Sequence, residues 1–285
     1  MPVSKIKSKW SSGNLVFTDN DGTELLTLDA ANKKISLTPG SASGAGLSPN
    51  IWSDCPLLEM VVDPTLGITG GDNFTEVQAT GFPYELVGAN GTFAAVVGQA
   101  QGVARILATG ADNDEAYISS NNDKAGIIKA DATKNWWFEA RVKLSQITAE
   151  QGVFVGLAEE TGVGADFMTD DTMAMKVLDS IGFQIVHAAA AAAQWQSMMQ
   201  LSGGARAAVN ATLVLGSTNY VKLGMKSVLG TVTFFVDGVA DATTVLSSAA
   251  NFPLDQVMEV VFATKTGKAA ANSLDIDWWK VAQLR

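Results

Sequence analysis

The chain has 285 residues, 47% hydrophobic and only 17% charged, a composition that supports a sizeable buried core and excludes intrinsic disorder. Its formal net charge of −10 repels a phosphate backbone, so no nucleic-acid partner is expected. Cys55 is the only cysteine, which excludes an intrachain disulfide and a cysteine-based zinc site.

The opening MPVSKIKSKWSSG carries charge without an apolar centre, and the mildly apolar run near Ile185 to Ala193 is too short to span a bilayer. Neither a secretory signal nor a membrane partner is expected. Residues 1–40 read as a small β meander. Lys5, Lys7 and Lys9 make its beginning basic within an acidic chain, which steers it towards an acidic partner. Leu15 and Phe17 alternate with Val16 and Thr18. Asn20-Asp21-Gly22 supplies residues that tolerate the positive φ of a tight hairpin. Runs at Glu24 to Leu28 and Ile35 to Leu37 follow. Alternation gives each strand one apolar face, from Leu15, Phe17, Leu26, Leu28, Ile35 and Leu37. Three short strands cannot enclose such a face. These six residues and the three lysines are therefore the candidate interface to a partner or to further copies of the chain.

Residues 41–71 read as a linker and connecting segment. The first part is rich in Gly, Ser, Ala and Pro, a flexible composition. Leu57, Leu58, Met60, Val61 and Val62 then suggest anchoring on a surface.

From Asp72 to the end, short strands separated by turns are expected at 84–87, 92–97, 103–108, 115–119, 136–144, 152–158, 181–187, 211–215, 219–226, 230–237, 257–263 and 273–282. One short helix is expected at Asp170 to Leu178, where acidic residues stand at the start. The alanine-rich stretch 188–193 fits a helix by propensity and a strand by its neighbours. Val232, Phe234 and Val236 share one face of a hairpin strand that turns at Asp237-Gly238. The run Leu274-Asp275-Ile276-Asp277-Trp278 alternates strictly. Many short strands at regular spacing argue for an all-β sandwich.

Three segments resemble strands of concanavalin A-like and laminin-G-like jelly rolls. They are WWFEARVKLSQITAEQGVFVGLAEE at Trp136 to Glu160, YVKLGMKSVLGTVTFFVDGVAD at Tyr220 to Asp241, and SLDIDWWKV at Ser273 to Val281. GVARILATGADNDEAYISS at Gly102 to Ser120, FEARVKL at Phe138 to Leu144 and SIGFQI at Ser180 to Ile185 resemble a group of tailed-phage virion proteins. GNLVFTDNDGTELLTLDAANKKISL resembles an arm at the start of phage structural proteins. The resemblance implies an all-β fold, a concanavalin A-like antiparallel β-sandwich over residues 72–285 preceded by a small N-terminal β meander arm. It also implies a capsid decoration or auxiliary protein on the virion surface, assembled in the host cytoplasm, with the major capsid protein as partner. A homotrimer would match the threefold capsid positions that decoration proteins occupy.

Little in the chain points to catalysis. Retaining glucanases of this fold class carry Glu-x-Asp-x-x-Glu, which sets carboxylates about 5 Å apart on one face of a cleft. No glutamate here is followed two positions later by aspartate, and adjacent Glu159-Glu160 would face opposite ways in a strand. His187, the only histidine, lies in an apolar run and reads as a strand residue. Asp112, Asp114 and Glu115 form one acidic cluster, and Glu159, Glu160, Asp166, Asp170 and Asp171 another. Neither has a recognised calcium spacing, so both read as solvated loops and no metal or other cofactor is expected. Trp136-Trp137 and Trp278-Trp279 each place one ring inward and one outward; Trp137 and Trp279 are taken as the outward rings and as candidate glycan or protein contacts. The expected function is non-enzymatic and structural, with a carbohydrate-binding tail or fibre module that contacts surface glycans as the alternative.

Overall fold

The structure is a computed structural model that describes residues 7–11, 14–18, 24–29, 34–37, 47–52, 54–55, 67–74, 84–88, 90–98, 102–120, 128–131, 133–147, 150–159, 166–176, 178–187, 193–204, 206–216, 218–254 and 256–284. The chain begins with β1 (Lys7–Ser11), β2 (Asn14–Thr18), β3 (Glu24–Asp29) and β4 (Lys34–Leu37). A single helical turn, α1 (Pro49–Trp52), precedes β5 (Gly67–Asp72), β6 (Glu85–Val87), β7 (Gly91–Ala95) and β8 (Ala104–Ala108). Then come β9 (Glu115–Ser119), β10 (Ile128–Lys129), β11 (Trp136–Leu144), β12 (Gln151–Glu159), β13 (Ser180–His187) and β14 (Gln194–Gln200). The last six are β15 (Ala207–Leu215), β16 (Val221–Val228), β17 (Thr231–Val236), β18 (Val239–Leu246), β19 (Val257–Thr266) and β20 (Asn272–Leu284).

The strands form three sheets. The arm is a four-stranded meander, β1-β2-β3-β4. Sheet I has the order β15-β14-β13-β12-β19-β9-β6, with β10 also on β19. Sheet II has the order β18-β17-β16-β11-β20-β8-β7, with β5 also on β20. All the paired strands are antiparallel.

The main core lies between sheets I and II, because alternate residues of each central strand are apolar. Sheet I contributes Val153, Val155, Leu157, Ile181, Phe183, Ile185, Val260 and Phe262; sheet II contributes Trp136, Phe138, Ala140, Val142, Leu223, Met225, Phe234, Ile276 and Val281. Phe183 and Phe234 meet edge to face across the gap, with ring centroids 5.6 Å apart at 89°. The hairpin expected at Asp237-Gly238 joins β17 to β18 through positive φ values of 49° and 79°.

Several expectations are corrected. Sheet II takes in Gly67–Asp72, so the sandwich begins inside the segment read as a connector. The arm has a fourth strand, β1, formed by residues read as a basic tail. The helix expected at 170–178 is absent: positive φ at Asp171 (60°) and Met173 (51°) breaks any helical run, and an isolated bridge pairs Met168 with Met175. The strands β10 and β14 were not expected, and β18 was expected only as the return strand of the Asp237-Gly238 hairpin. Asn20-Asp21-Gly22, the stretch 188–192 and the apolar residues Leu57, Leu58, Met60, Val61 and Val62 lie outside the described residues.

Phe234 is buried at 0% exposure and is in edge-to-face contact with Phe183. Phe234→Ala is expected to lower unfolding free energy by about 3–5 kcal/mol, read from the midpoint of a denaturant titration.

Candidate functional site

The alternation that fills the main core points the other residues of each sheet outward, and each outer face meets a segment of the same chain. On sheet I that segment is a strap, residues 166–176. Phe167, Met168 and Met175 pack with Tyr117, Phe154, Ala158, Met198, Val261 and Ala263 into a second apolar cluster. Gly152 makes room for it, since a Cβ there would lie 2.6 Å from the Met168 sulfur and 2.8 Å from Met173 Cβ.

An ionic cluster fixes the strap. Glu115 and Lys265 stand directly opposite one another on β9 and β19. Lys265 Nζ lies 3.1 Å from Glu115 Oε2 and 2.7 Å from Asp170 Oδ1, and it donates to the Met168 carbonyl at 3.2 Å. Glu115 in turn accepts from the Phe167 N–H at 2.6 Å and the Met168 N–H at 3.2 Å. Burial pushes the Glu115 carboxyl above its ordinary range, while the Lys265 ammonium pulls against that. Burial alone would lower Lys265, but the Asp170 and Glu115 carboxylates override it and hold the ammonium above its usual value. Asp170 is held low by its hydrogen bond and attraction to Lys265.

Members of both acidic clusters, Asp114 and Glu115 of one and Asp166 and Asp170 of the other, are thus put to structural use, which sequence reasoning missed. Asp114 Oδ2 accepts from Thr109 Oγ1 at 2.8 Å and the Ala111 N–H at 2.7 Å, and Asp166 pairs with Lys176 at 3.3 Å. Among the described residues, no group of three His, Cys, Asp or Glu side chains is placed to hold a metal. His187 takes its place on β13 opposite Gln151. No described helix is long and apolar enough to cross a membrane.

On sheet II the covering segment is residues 47–55. Ile51, Trp52 and Cys55 pack with Trp137, Phe235 and Ala282. Gly224 leaves the hollow for Ile51, whose Cδ1 would be 2.3 Å from a Cβ at that position. Glu139, fully buried beneath, accepts from the Ser48 N–H at 2.9 Å and from Trp52 Nε1 at 2.7 Å. Burial raises the Glu139 carboxyl above 4.5; the Ser48 and Trp52 donors and the charge of Lys222 counter part of the effect. Asp54 accepts from Trp137 Nε1 at 3.0 Å and pairs with Lys226 at 3.0 Å.

This geometry corrects both tryptophan assignments. Trp137 does point outward, yet the 47–55 segment covers it and leaves it 0% exposed. Trp279 points inward and is 5% exposed, with its Nε1 donating to the Tyr84 hydroxyl at 2.8 Å. The cause is a β-bulge. Arg141 pairs with Trp278 but Val142 pairs with Ile276, so Asp277 is an extra residue that reverses the alternation beyond it. The outward ring of that pair is Trp278, partly exposed.

In the arm, the register sets Leu15, Leu28 and Ile35 in one row and Phe17, Leu26 and Leu37 in the next, so the six expected residues share one face. Trp10, opposite Leu15, joins that face and is 71% exposed. Lys7 and Lys9 lie on the alternate positions of β1, on the other face; Lys9 is exposed and stands opposite Val16, which is buried. Lys5 lies outside the described residues.

No family model matches the chain, and no curated protein matches its sequence. Solved structures do match. The Emp47p carbohydrate recognition domain is 10% identical with a TM-score of 0.50, over 77% of this chain and 97% of that one. The metal-free Emp46p carbohydrate recognition domain is 8% identical with a TM-score of 0.50, over 74% of this chain and 94% of that one. A carbohydrate esterase from the Shiga toxin-encoding bacteriophage phi24B is 17% identical with a TM-score of 0.44, over 70% of this chain and 89% of that one. The fold is the concanavalin A-like jelly roll. At these identities the likeness is one of fold alone.

Two predictions follow from the buried charges. Lys265→Met strands Glu115 without its cation and is expected to cost about 3–5 kcal/mol, whereas adding Glu115→Gln restores much of the loss in chemical denaturation. For Glu139 the folded pKa lies above the ordinary value of 4.5. The stability linked to its proton is therefore complete at acidic pH below that value and is lost as pH rises through the raised pKa. Glu139→Gln should gain stability relative to the parent as pH increases, measured by hydrogen exchange of residues 47–55; a constant difference across pH would refute the assignment.

Proposed function

We propose that this protein is a non-enzymatic structural protein of a phage virion, an auxiliary protein of the capsid surface that attaches through its arm. The observation that carries the reading is the apolar face of the arm, on which Trp10, Leu15, Phe17, Leu26, Leu28, Ile35 and Leu37 align across strands of four to six residues. A sheet of that size has no second layer of its own to bury such a face, so the face gains stability by packing on a partner. Burying several hundred Å² of it would contribute on the order of 10 kcal/mol before association costs. The partner is the major capsid protein, with further copies of the chain meeting around a threefold axis as a homotrimer. The segments that resemble phage virion proteins motivate that choice of partner.

A non-catalytic role is supported by the outer face of sheet I. Its central strand places Phe154 and Ala158 there, under the strap. Two carboxylates of that face are buried: Glu115, which is committed to Lys265 and to strap N–H groups, and Glu259, opposite Ala158 on β19 and 2% exposed. Hydrolysis by a carboxylate pair needs two such groups facing substrate.

Removal of residues 1–40 is expected to leave a folded sandwich that no longer binds particles, and Phe17→Asp to shift sedimentation from oligomer to monomer. Undiminished particle binding by the truncated protein, or a parent that stays monomeric across micromolar concentrations, would overturn the proposal.

A further inference from the structure

The 47–55 segment covers only one half of the outer face of sheet II. The other half carries two rows of polar and aromatic side chains. In one row Trp278, Arg141 and Lys222 are register partners across β20, β11 and β16, and Tyr220 stands just before β16, next to Lys143. The Arg141 guanidinium stands 4.2 Å from the Tyr220 ring centroid and is paired with Asp277. In the next row Lys143, Asp275 and Arg105 are partners across β11, β20 and β8. Arg105 grips Asp275 with both Nε, at 2.6 Å, and Nη2, at 2.9 Å, while Lys143 Nζ lies 3.3 Å from the same carboxylate.

We propose that this open half-face binds an acidic saccharide, through Arg141, Lys143 and Arg105 as donors and Trp278 and Tyr220 as stacking surfaces. The inference goes beyond the structural role and rests on different residues from the arm.

The first argument is donor surplus. Asp275 has both oxygens occupied and its side chain is 3% exposed, whereas the side chains of Arg105 and Lys143 are 42% and 27% exposed. Arg105 has five N–H donors and spends two on Asp275; Lys143 has three and spends one. In these two rows Arg105, Arg141, Lys143 and Lys222 stand against Asp275 and Asp277, so the patch is cationic in a chain of net charge −10. What remains to be satisfied there is an acceptor with negative charge, and a sugar carboxylate supplies it with charge-assisted hydrogen bonds.

The second argument is rigidity. The ion pairs and the Arg141–Tyr220 stack hold the long side chains in place before any ligand arrives, which lowers the entropy lost on binding. The third is the bulge at Asp277. It turns Trp278 outward as the register partner of Arg141, whose guanidinium lies over the Tyr220 ring. An aromatic face suits the C–H face of a pyranose, and the guanidinium suits its carboxylate. A flexible acidic peptide would use the cations and leave the rings idle.

The test is calorimetric titration of the full-length protein with α-1,4-hexagalacturonate and α-2,8-hexasialate, beside neutral cellohexaose and a hexaglutamate peptide. At least one acidic saccharide is expected to bind, and to weaken as salt screens the cations. Trp278→Ala and Lys143→Gln should each weaken that binding by about tenfold or more while near-ultraviolet circular dichroism is unchanged, a loss typical of removing one hydrogen bond to a charge or one stacked ring. Arg141→Gln should abolish it; if that variant misfolds, the other two decide. Absence of binding to both acidic saccharides, equal binding of cellohexaose or hexaglutamate, or parental affinity in folded Trp278→Ala and Lys143→Gln would each overturn the proposal.

Discussion

The pairing of β11 with β20 is the contact from which the rest of sheet II is arranged. β20 runs for 13 residues and holds β11 along one edge, with β8 and β5 end to end along the other. Its alternation decides which side chains enter the core, and the bulge at Asp277 resets that alternation halfway. Before the bulge Leu274 and Ile276 point inward; after it Trp279 and Val281 do. Trp279 then donates to the Tyr84 hydroxyl, which itself donates to Asp72 Oδ2 at 2.7 Å, and this chain of bonds ties β5 and the approach to β6 into the same core. The same sequence paired in unbroken register, with Asp277 taking a place in the ladder, would bury Trp278 and expose Trp279, and would lose that tie.

Each sheet also solves one problem in its own way: how to hold a non-strand segment flat against a strand surface. A segment of this kind brings backbone N–H groups with no ladder partner, and burying them unpaired is costly. Both sheets answer with a buried carboxylate that accepts those donors, Glu115 for the strap and Glu139 for residues 47–55. They differ in compensation. Glu115 has an ammonium in contact, so its charge is balanced inside the fold. Glu139 is met by neutral donors, with Lys222 acting only through its field, so its protonation state weighs directly on how firmly the segment is held.

The sandwich strands with clean alternation were legible in the sequence. Phe138, Ala140 and Val142 of β11, and Val232 and Phe234 of β17, are where period-two reasoning puts them. So is the shared face of Leu15, Phe17, Leu26, Leu28, Ile35 and Leu37. What could not be read are features set by contacts distant along the chain. Gly67–Asp72 is glycine-rich and polar, and becomes a strand only because β20 offers a free edge. The Lys265–Glu115 pair joins residues 150 positions apart, so an acidic cluster that looks solvated is in fact half of a buried ion pair. A bulge leaves no mark in a run that alternates perfectly, yet it reversed the assignment of Trp278 and Trp279. The covering of Trp137 has the same origin, because the segment over it lies more than 80 residues upstream.

These interactions partition the surface of the molecule. The outer face of sheet I is closed by an apolar cluster over a balanced ion pair, and half of sheet II is closed by residues 47–55. Among the described residues two areas of opposite character stand apart from these closures: the arm, whose register aligns apolar residues on one face and whose Trp10 is 71% exposed, and the donor-rich half-face around Arg141. Their chemistries do not compete. An apolar face binds by excluding water, with little dependence on salt, whereas a patch of partly paired cations attracts anions over about a Debye length and weakens as salt rises. Burying the first uses no residue of the second. The two are also separated in the chain, by the segment whose residues 47–55 Glu139 pins to sheet II. Packing at the arm therefore leaves the pairing of β11 with β20, and with it the geometry of the half-face, undisturbed.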